Sequence, residues 1–202
     1  MPDGNGDATF QLGHGQLLRV PAATVFIGRR FVTDAAQIRD VTAADVPAIT
    51  AIYRHYVLTH TSTFEIEPPD AAEMATRMQR ILAAKLPYLV AEIDAEIAGY
   101  CYVTPYRPRA AYRFTIENSV YVAPTATARG IGRALLSETL RIVTELGYRE
   151  VIAVIGDSAN VASISLHRKA GFVDVGTLRN VGFKFDRWLD TVLMQRSLTK
   201  AN

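Results

Sequence analysis

From residue 38 onward the chain alternates short runs of period-two hydrophobicity with amphipathic stretches of helical period. Ile38-Arg39-Asp40-Val41 predicts a first strand. Thr42-Ala43-Ala44-Asp45 follows it with the form of a capping box, Asp standing where Glu or Gln is usual. Ile49, Ile52, Tyr53, Tyr56 and Val57 then recur at helical spacing, and residues 59–64 read as a polar, β-branched loop. Asp70 can cap a second helix carrying Met74, Met78, Ile81 and Leu82, which Pro87 closes. Strands at 88–93 and 97–104 flank the tight connection Asp94-Ala95-Glu96. Pro105 and Pro108 make the next segment a loop, because prolines cannot serve a central strand.

A long strand is expected over 114–122 and a helix over 130–146, with Leu135, Leu136, Leu140 and Val143 on one side and Gly147 at its C-cap. Residues 150–155 are apolar throughout and predict a strand buried on both faces. A helix over 160–169 stops at Ala170-Gly171-Phe172. Strands at 172–178 and 189–196 end the chain, with 183–188 between them as a loop or strand lead-in. The order β-α-α-β-β-β-α-β-α-β-β implies a mixed sheet with helices on its faces, an α/β or α+β single domain. Residues 1–36 show no sustained period. They read as a flexible or peripheral leader, with an extra strand in the apolar stretch 22–32 as the alternative, and the domain proper is 37–202.

Composition narrows the function classes. With 49% hydrophobic and 21% charged residues the chain is an ordinary globular protein, and a net charge of +2 without a Lys/Arg block argues against nucleic acid. No apolar run reaches membrane-spanning length, and the acidic, Gly-rich start lacks the pattern of a secretory signal. The single cysteine, Cys101, cannot form an intrachain disulfide and sits in an apolar run, so a buried thiol in a reducing cytoplasm is expected.

The chemistry concentrates in residues 117–136, ENSVYVAPTATARGIGRALL. An apolar strand runs into a loop of small residues, and Arg129-Gly130-Ile131-Gly132-Arg133 opens a helix. Such a turn lets the backbone approach a phosphate, and the helix start supplies unpaired N–H groups and partial positive charge. From the turn alone, a solvent-exposed cap is an equally physical reading.

These residues, with others, resemble a known family. ARGIGRALL after VYV is similar to the acyl-CoA motif of the GNAT superfamily of N-acetyltransferases. Asn160, Ser163, Leu166, His167, Gly171 and Phe172 match its N-x-x-S-x-x-L-H-x-x-x-G-F block. The stretches RPRAAYRFTIENSVYV and FKFDRWLDTVLMQ resemble the phosphinothricin or methionine-sulfoximine acetyltransferase subgroup. The resemblance covers about residues 38–198 and implies the GNAT fold, about seven strands in a mixed sheet flanked by about four helices. Thr127 departs from the pattern, which has Gln or Arg there; Arg107 replaces a frequent Lys, and Asp186 a frequent Gly.

The resemblance implies acetyl-CoA as co-substrate, no metal, and a small-molecule amine as acceptor. Transfer is by direct attack in a ternary complex without an acetyl-enzyme, and a homodimer is expected. Arg129, Gly130, Ile131, Gly132, Arg133 and Ala134 are expected to hold the pyrophosphate. Val120, Tyr121, Val122 and Asn160 are expected along the pantetheine arm, where the strand splays from its neighbour. Asn160 is equally apt as a helix N-cap. Glu117 is the candidate base, its pKa raised by burial toward that of a useful proton acceptor. His167 is the candidate acid for the departing thiolate, with Tyr121 as an alternative donor; a core histidine with a backbone partner is its structural reading. His55 and His60 are selected by no motif. Phe64, Arg107, Arg109 and Tyr112 are expected to contact the acceptor, the arginines gripping a carboxylate. The rivals are another acceptor (a protein N-terminus, a polyamine or an aminoglycoside) and a noncatalytic acyl-CoA-binding domain.

Overall fold

The computed structural model describes residues 36–198 in full and, ahead of them, the backbone of three strands, β1 (Ala8–Leu12), β2 (Gln16–Val20) and β3 (Arg30–Val32). β1 and β2 pair as a separate hairpin, and β3 adds to the edge of the main sheet inside the stretch 22–32. The remainder of the leader and the last four residues of the expected domain lie outside the described residues.

The main sheet takes the expected order. β4 (Gln37–Asp40) is followed by helices α1 (Val46–Thr59) and α2 (Ala71–Ala83), then β5 (Tyr88–Ile93), β6 (Glu96–Pro105) and β7 (Thr115–Val122). Helix α3 (Ile131–Glu145), β8 (Glu150–Gly156), α4 (Val161–Lys169), β9 (Val173–Lys184) and β10 (Arg187–Ser197) complete it. The spatial order is β3-β4-β5-β6-β7-β8-β10-β9, and only β7 and β8 run parallel. The seven expected strands and four helices are all present, with β3 as an eighth strand.

Local chemistry explains the boundaries. The Thr42 N–H donates to Asp45 Oδ2 at 2.7 Å, closing the capping box, and Asp45 is held by two 2.8 Å bonds from Arg39. Asp70 accepts from the Glu73 N–H at 2.8 Å, capping α2 as expected. Leu82, expected on the buried face, is 41% exposed, because it lies about 100° round the helix from buried Ile81. Asp94 and Ala95 both adopt positive φ, 50° and 67°, giving a two-residue hairpin turn, so Glu96 belongs to the strand.

Two expectations change. β8 is not buried on both faces: Val151, Ala153 and Ile155 are buried, whereas Val154 is 41% exposed. The last two strands are longer than 172–178 and 189–196: of the two readings of 183–188 the strand lead-in holds, and Phe185 and Asp186, at φ 52° and 56°, join β9 to β10. A left-handed turn built from Phe-Asp lacks the Gly or Asn that usually announces it.

The helices divide between the faces. α1 and α2 cover the side of β5–β7 that carries Tyr100, Tyr102 and Tyr121, where Tyr53 of α1 meets Tyr121 at 5.2 Å. α3 and α4 cover the other side, where Gly99 backs onto Ile131 and Gly132 onto Leu166 and Val122. Because alternate strand residues face opposite ways, Glu117, Ser119 and Tyr121 look toward α1 and α2, and Asn118, Val120 and Val122 toward α3 and α4.

Candidate active site

The parallel pairing of β7 with β8 runs from Thr115/Glu150 to Asn118/Ala153 and stops, although β7 continues to Val122 and β8 to Gly156. The two strands therefore part and open a gap, the splay expected of a pantetheine channel. Backbone alternation fixes what lines it. Ala123 N–H donates to Ala98 O at 2.8 Å, so in register Tyr121 and Ser119 turn their peptide groups to β6. Val120 and Val122 then turn theirs to the gap; the Val122 carbonyl is already taken by the Tyr56 hydroxyl at 2.7 Å.

At the far end of β7 a 3-10 turn, Pro124–Ala126, leads to the glycine-rich segment, and the Thr127 hydroxyl donates back to Pro124 O at 3.2 Å. Thr127 thus stiffens the turn. Ala128 and Gly130 adopt φ 61° and 79°, which re-aims the chain into α3, and a Cβ on Gly130 would meet nothing within 4 Å. The N–H groups of Ile131, Gly132 and Arg133 lie in the first turn, where intrahelical partners are lacking. Ala134 does not join that set: its N–H donates to Gly130 O at 3.0 Å. The side chains of Arg129 and Arg133 are exposed beside the turn. Three first-turn donors, two guanidinium groups and an open backbone fit a pyrophosphate.

Asn160 is the N-cap of α4, its Oδ1 accepting from Ser163 N–H at 3.2 Å, so the cap reading of this residue holds. His167, further along α4, is 3% exposed. Its Nδ1 lies 2.8 Å from Ser163 O and must carry the proton; its Nε2 lies 2.9 Å from Asn118 Nδ2 and accepts from it. Burial holds its pKa below the ordinary 6.5, so the ring is neutral. It also lies on the face opposite Glu117. This geometry is that of a core histidine with a backbone partner, and it leaves Nε2 no proton to give.

Glu117 is the contrasting case. It is half-buried, and among the described residues no cation pairs with it, so the pairing with Arg113 weighed from sequence is absent. Arg113 instead lies over the Phe114 ring at 4.5 Å. Burial alone raises the Glu117 carboxyl above its ordinary 4.5. Its neighbours across the sheet are Thr104 and Ile152, and beyond Ile152 the exposed Val154 leaves this face of β8 open.

The loop 60–65 is fixed from two sides. Lys184, 5% exposed, donates to His60 O and Thr63 O, both at 2.8 Å, and the Thr61 hydroxyl donates to Asp157 Oδ2 at 2.9 Å. From the α1 side, the Tyr53 hydroxyl meets Thr63 Oγ1 and donates to Glu65 Oε1, each at 2.9 Å. Phe64 then lies over two glycines. A Cβ on Gly156 would collide with Thr61 O and the Phe64 ring, and one on Gly182 with the Phe64 ring again. Phe64 keeps 36% of its surface exposed.

The loop between β6 and β7 carries Arg107, whose guanidinium lies 5.1 Å from the Tyr106 ring and 6.0 Å from the Tyr112 ring. Arg109 precedes the short turn Ala110–Tyr112 and is exposed. His55 and His60 form a ring cluster with Tyr56 at the C-terminal end of α1, and Tyr56 in turn meets Tyr121 at 5.4 Å. Cys101 is fully buried, its thiol pushed up to about 12 by burial, and cannot serve as a nucleophile. No group of three or more His, Cys, Asp and Glu suited to a metal occurs among the described residues.

Sequence reasoning missed Lys184, Asn118, the two glycines under Phe64, and the tyrosines Tyr53, Tyr88, Tyr100 and Tyr102. The alternation in Tyr100-Cys101-Tyr102 does carry a signal: it puts two tyrosines on one face and the thiol on the other.

A parallel pair that splays beside a phosphate-fitting helix start defines an acyl-CoA-dependent acyltransferase, and residues 38–193 match the acetyltransferase (GNAT) domain family, to which this chain belongs. The chain is 52% identical over 178 residues to phosphinothricin N-acetyltransferase of Alcaligenes faecalis, covering 88% of this chain and 90% of that protein. It is 38% identical over 165 residues to the L-methionine sulfoximine/L-methionine sulfone acetyltransferase of Pseudomonas aeruginosa, covering 81% and 95%. A GNAT phosphinothricin acetyltransferase from Sinorhizobium meliloti, solved in complex with AcCoA, superposes with a TM-score of 0.80 at 46% identity, covering 83% of this chain and 91% of that one. The protein is an acetyl-CoA-dependent acetyltransferase.

Proposed function

We propose that the enzyme transfers acetyl to the free α-amine of a small amino-acid analogue of the phosphinothricin, methionine sulfoximine or methionine sulfone type. The observation that carries this is Glu117: an unpaired, half-buried carboxylate beside the end of the β7–β8 pairing, with an arginine-bearing loop at the head of its strand. An acceptor amine arrives as ammonium, with a pKa of roughly 10. Glu117, lifted by burial, accepts its proton directly or through one water and leaves the amine lone pair available. Arg107 and Arg109 grip the acceptor carboxylate, Tyr112 and Phe64 bound the pocket, and Phe64 is kept in place by Lys184. The first-turn N–H groups of α3, with Arg129 and Arg133, hold the pyrophosphate, while Val120, Tyr121 and Val122 and the Asn160 amide line the arm. Bound there, acetyl-CoA supplies the acetyl group as an activated thioester. Tyr121, on the face of Glu117, is the donor we assign to the leaving thiolate, and His167 positions Asn118.

A polycationic acceptor would need carboxylates, and Glu65 is already engaged by Arg77 at 2.6 Å. We place the enzyme in the cytoplasm, where Cys101 stays reduced; no helix among the described residues is long and apolar enough to cross a membrane. A second copy of the chain is the partner we assign to the apolar strip of β9 and β10, where Val173, Val175, Phe183 and Trp188 are each more than half exposed. Trp188→Glu should then yield a monomer by analytical ultracentrifugation.

The functional test is thiol release from acetyl-CoA with a panel of amines: phosphinothricin, methionine sulfone, glutamate, spermidine and a short peptide. Turnover of the first two above the others supports the reading. Preference for spermidine or the peptide would replace it with a rival acceptor, and no turnover with any amine would leave a noncatalytic binding domain.

A further inference from the structure

We propose that the cleft between α2 and the tyrosines of β5 and β6 is the pocket for the acceptor's side chain, built for a short chain ending in an oxo or anionic group. This rests on the α-amine reading above and names the part of the protein that selects among such acceptors.

The cleft encloses about 220 Å³. That is below the roughly 300 Å³ at which ordinary small-molecule sites begin, and it suits one amino-acid side chain rather than an aminoglycoside. Tyr88, Tyr100 and Tyr102 form its sheet side; Met74 and Ile81 of α2 form the other. Its position relative to the base follows from strand register. Thr104, a wall residue, pairs directly with Glu117 and shares its face, which puts the two Cβ atoms about 5 Å apart. An acceptor with its amine at Glu117 can therefore send its side chain past Thr104 into the cleft. Its carboxylate then points to the loop of Arg107 and Arg109, which begins just beyond Thr104.

Two polar groups say what the side chain carries. Arg77 and Arg80 both line the cleft, but Arg77 is engaged by Glu65 at 2.6 Å and Glu73 at 2.9 Å. The guanidinium of Arg80 has no partner among the described residues and stands exposed at the mouth. Tyr100, fully buried in the floor, has a hydroxyl with no hydrogen-bond partner. A buried orphan hydroxyl is uncommon in a finished core and calls for an acceptor atom. A sulfone or phosphinate oxygen answers both groups; a hydrocarbon answers neither.

The test compares wild type with Arg80→Ala and Tyr100→Phe, reading kcat/KM for phosphinothricin and methionine sulfone relative to alanine as acceptor. Arg80→Ala should lower the phosphinothricin-to-alanine ratio about tenfold, through KM, as loss of a charge-assisted bond does. Tyr100→Phe, which removes an orphaned group, should fold with an unchanged or higher Tm and still lower the methionine sulfone-to-alanine ratio about fivefold. Ratios within about twofold of wild type in both variants overturn the pocket while leaving the acetyltransferase reading intact. Should wild type acetylate none of the three, the functional reading fails, and calorimetric titration with phosphinothricin decides the pocket alone. Weaker binding to Arg80→Ala than to wild type keeps it; equal or absent binding removes it.

Discussion

Glu117 and Asn118 are neighbours on one strand, yet the sheet separates them completely. Asn118 faces α4 and closes on His167 at 2.9 Å, and that histidine is tied in turn to a helix carbonyl. Glu117 faces the α1–α2 side, with no cation paired to it among the described residues and an open strand beyond it. Burial shifts both titrating groups toward neutrality, raising Glu117 and lowering His167. Partners decide the rest. The histidine's two nitrogens are spent on structure, whereas the carboxylate has somewhere to take a proton from. A pKa shift marks a reactive group only where the geometry leaves it something to react with.

The largest effect that can break this contrast is Glu117→Gln. It should lower kcat/KM by about 100-fold or more at neutral pH and remove the acidic limb of the pH–rate profile; a profile like that of wild type would take the base role away. The same substitution should raise Tm at neutral pH. A carboxyl whose folded pKa lies above its unfolded value loses stability as pH rises through that window, and Gln does not titrate. Next comes Gly182→Ala, whose Cβ collides with Phe64. The acceptor KM should rise while acetyl-CoA affinity stays, at a cost of about 1–3 kcal/mol in stability, as overpacking does. Parallel loss of coenzyme binding would show that the two ends of the site are not separable.

His167→Ala should cost about 1–3 kcal/mol by orphaning the Asn118 amide. With its folded pKa below 6.5, His167 contributes in full above that pH, and its contribution is lost below it, where the unfolded chain takes up a proton that the fold refuses. Denaturation followed from pH 7.5 to 5 should therefore fall less steeply in the variant. A collapse of kcat with acceptor and coenzyme KM values unchanged would instead return His167 to the reaction. The smallest effect is expected of Cys101→Ala, with turnover within about threefold of wild type; a collapse in a folded variant would force a covalent scheme.

The element order and the turn before α3 were legible because each depends on local pattern: period, capping residues, and glycine before a helix; Glu117 was singled out by the family resemblance. What stayed hidden depends on distant pairings. For His167 the sequence left general acid and core histidine side by side, because its partner across the sheet, Asn118 Nδ2, is defined by packing and the motif says nothing of which face it serves. Residues 183–188 stayed open between loop and strand lead-in because Phe185 and Asp186 accept left-handed backbone without the residues that favour it. β8 read as doubly buried because its hydrophobicity is continuous, but the splay exposes Val154 in spite of it. Gly156 and Gly182 gave no signal as a pair, since only the fold brings both under one ring.

The bonds from Lys184 to the loop reach across 124 and 121 residues of chain. As the polypeptide leaves the ribosome, α3 and the phosphate turn can form with the strands made before them. The 60–65 loop can be tied early to Tyr53 and Asp157, but its two bonds from Lys184 wait until the last hairpin has emerged and docked. The support under Phe64 is therefore completed last, after the turn at the start of α3. A nascent chain stopped before Lys184 would hold the phosphate turn, Glu117 and a 60–65 loop tied only through Tyr53 and Asp157.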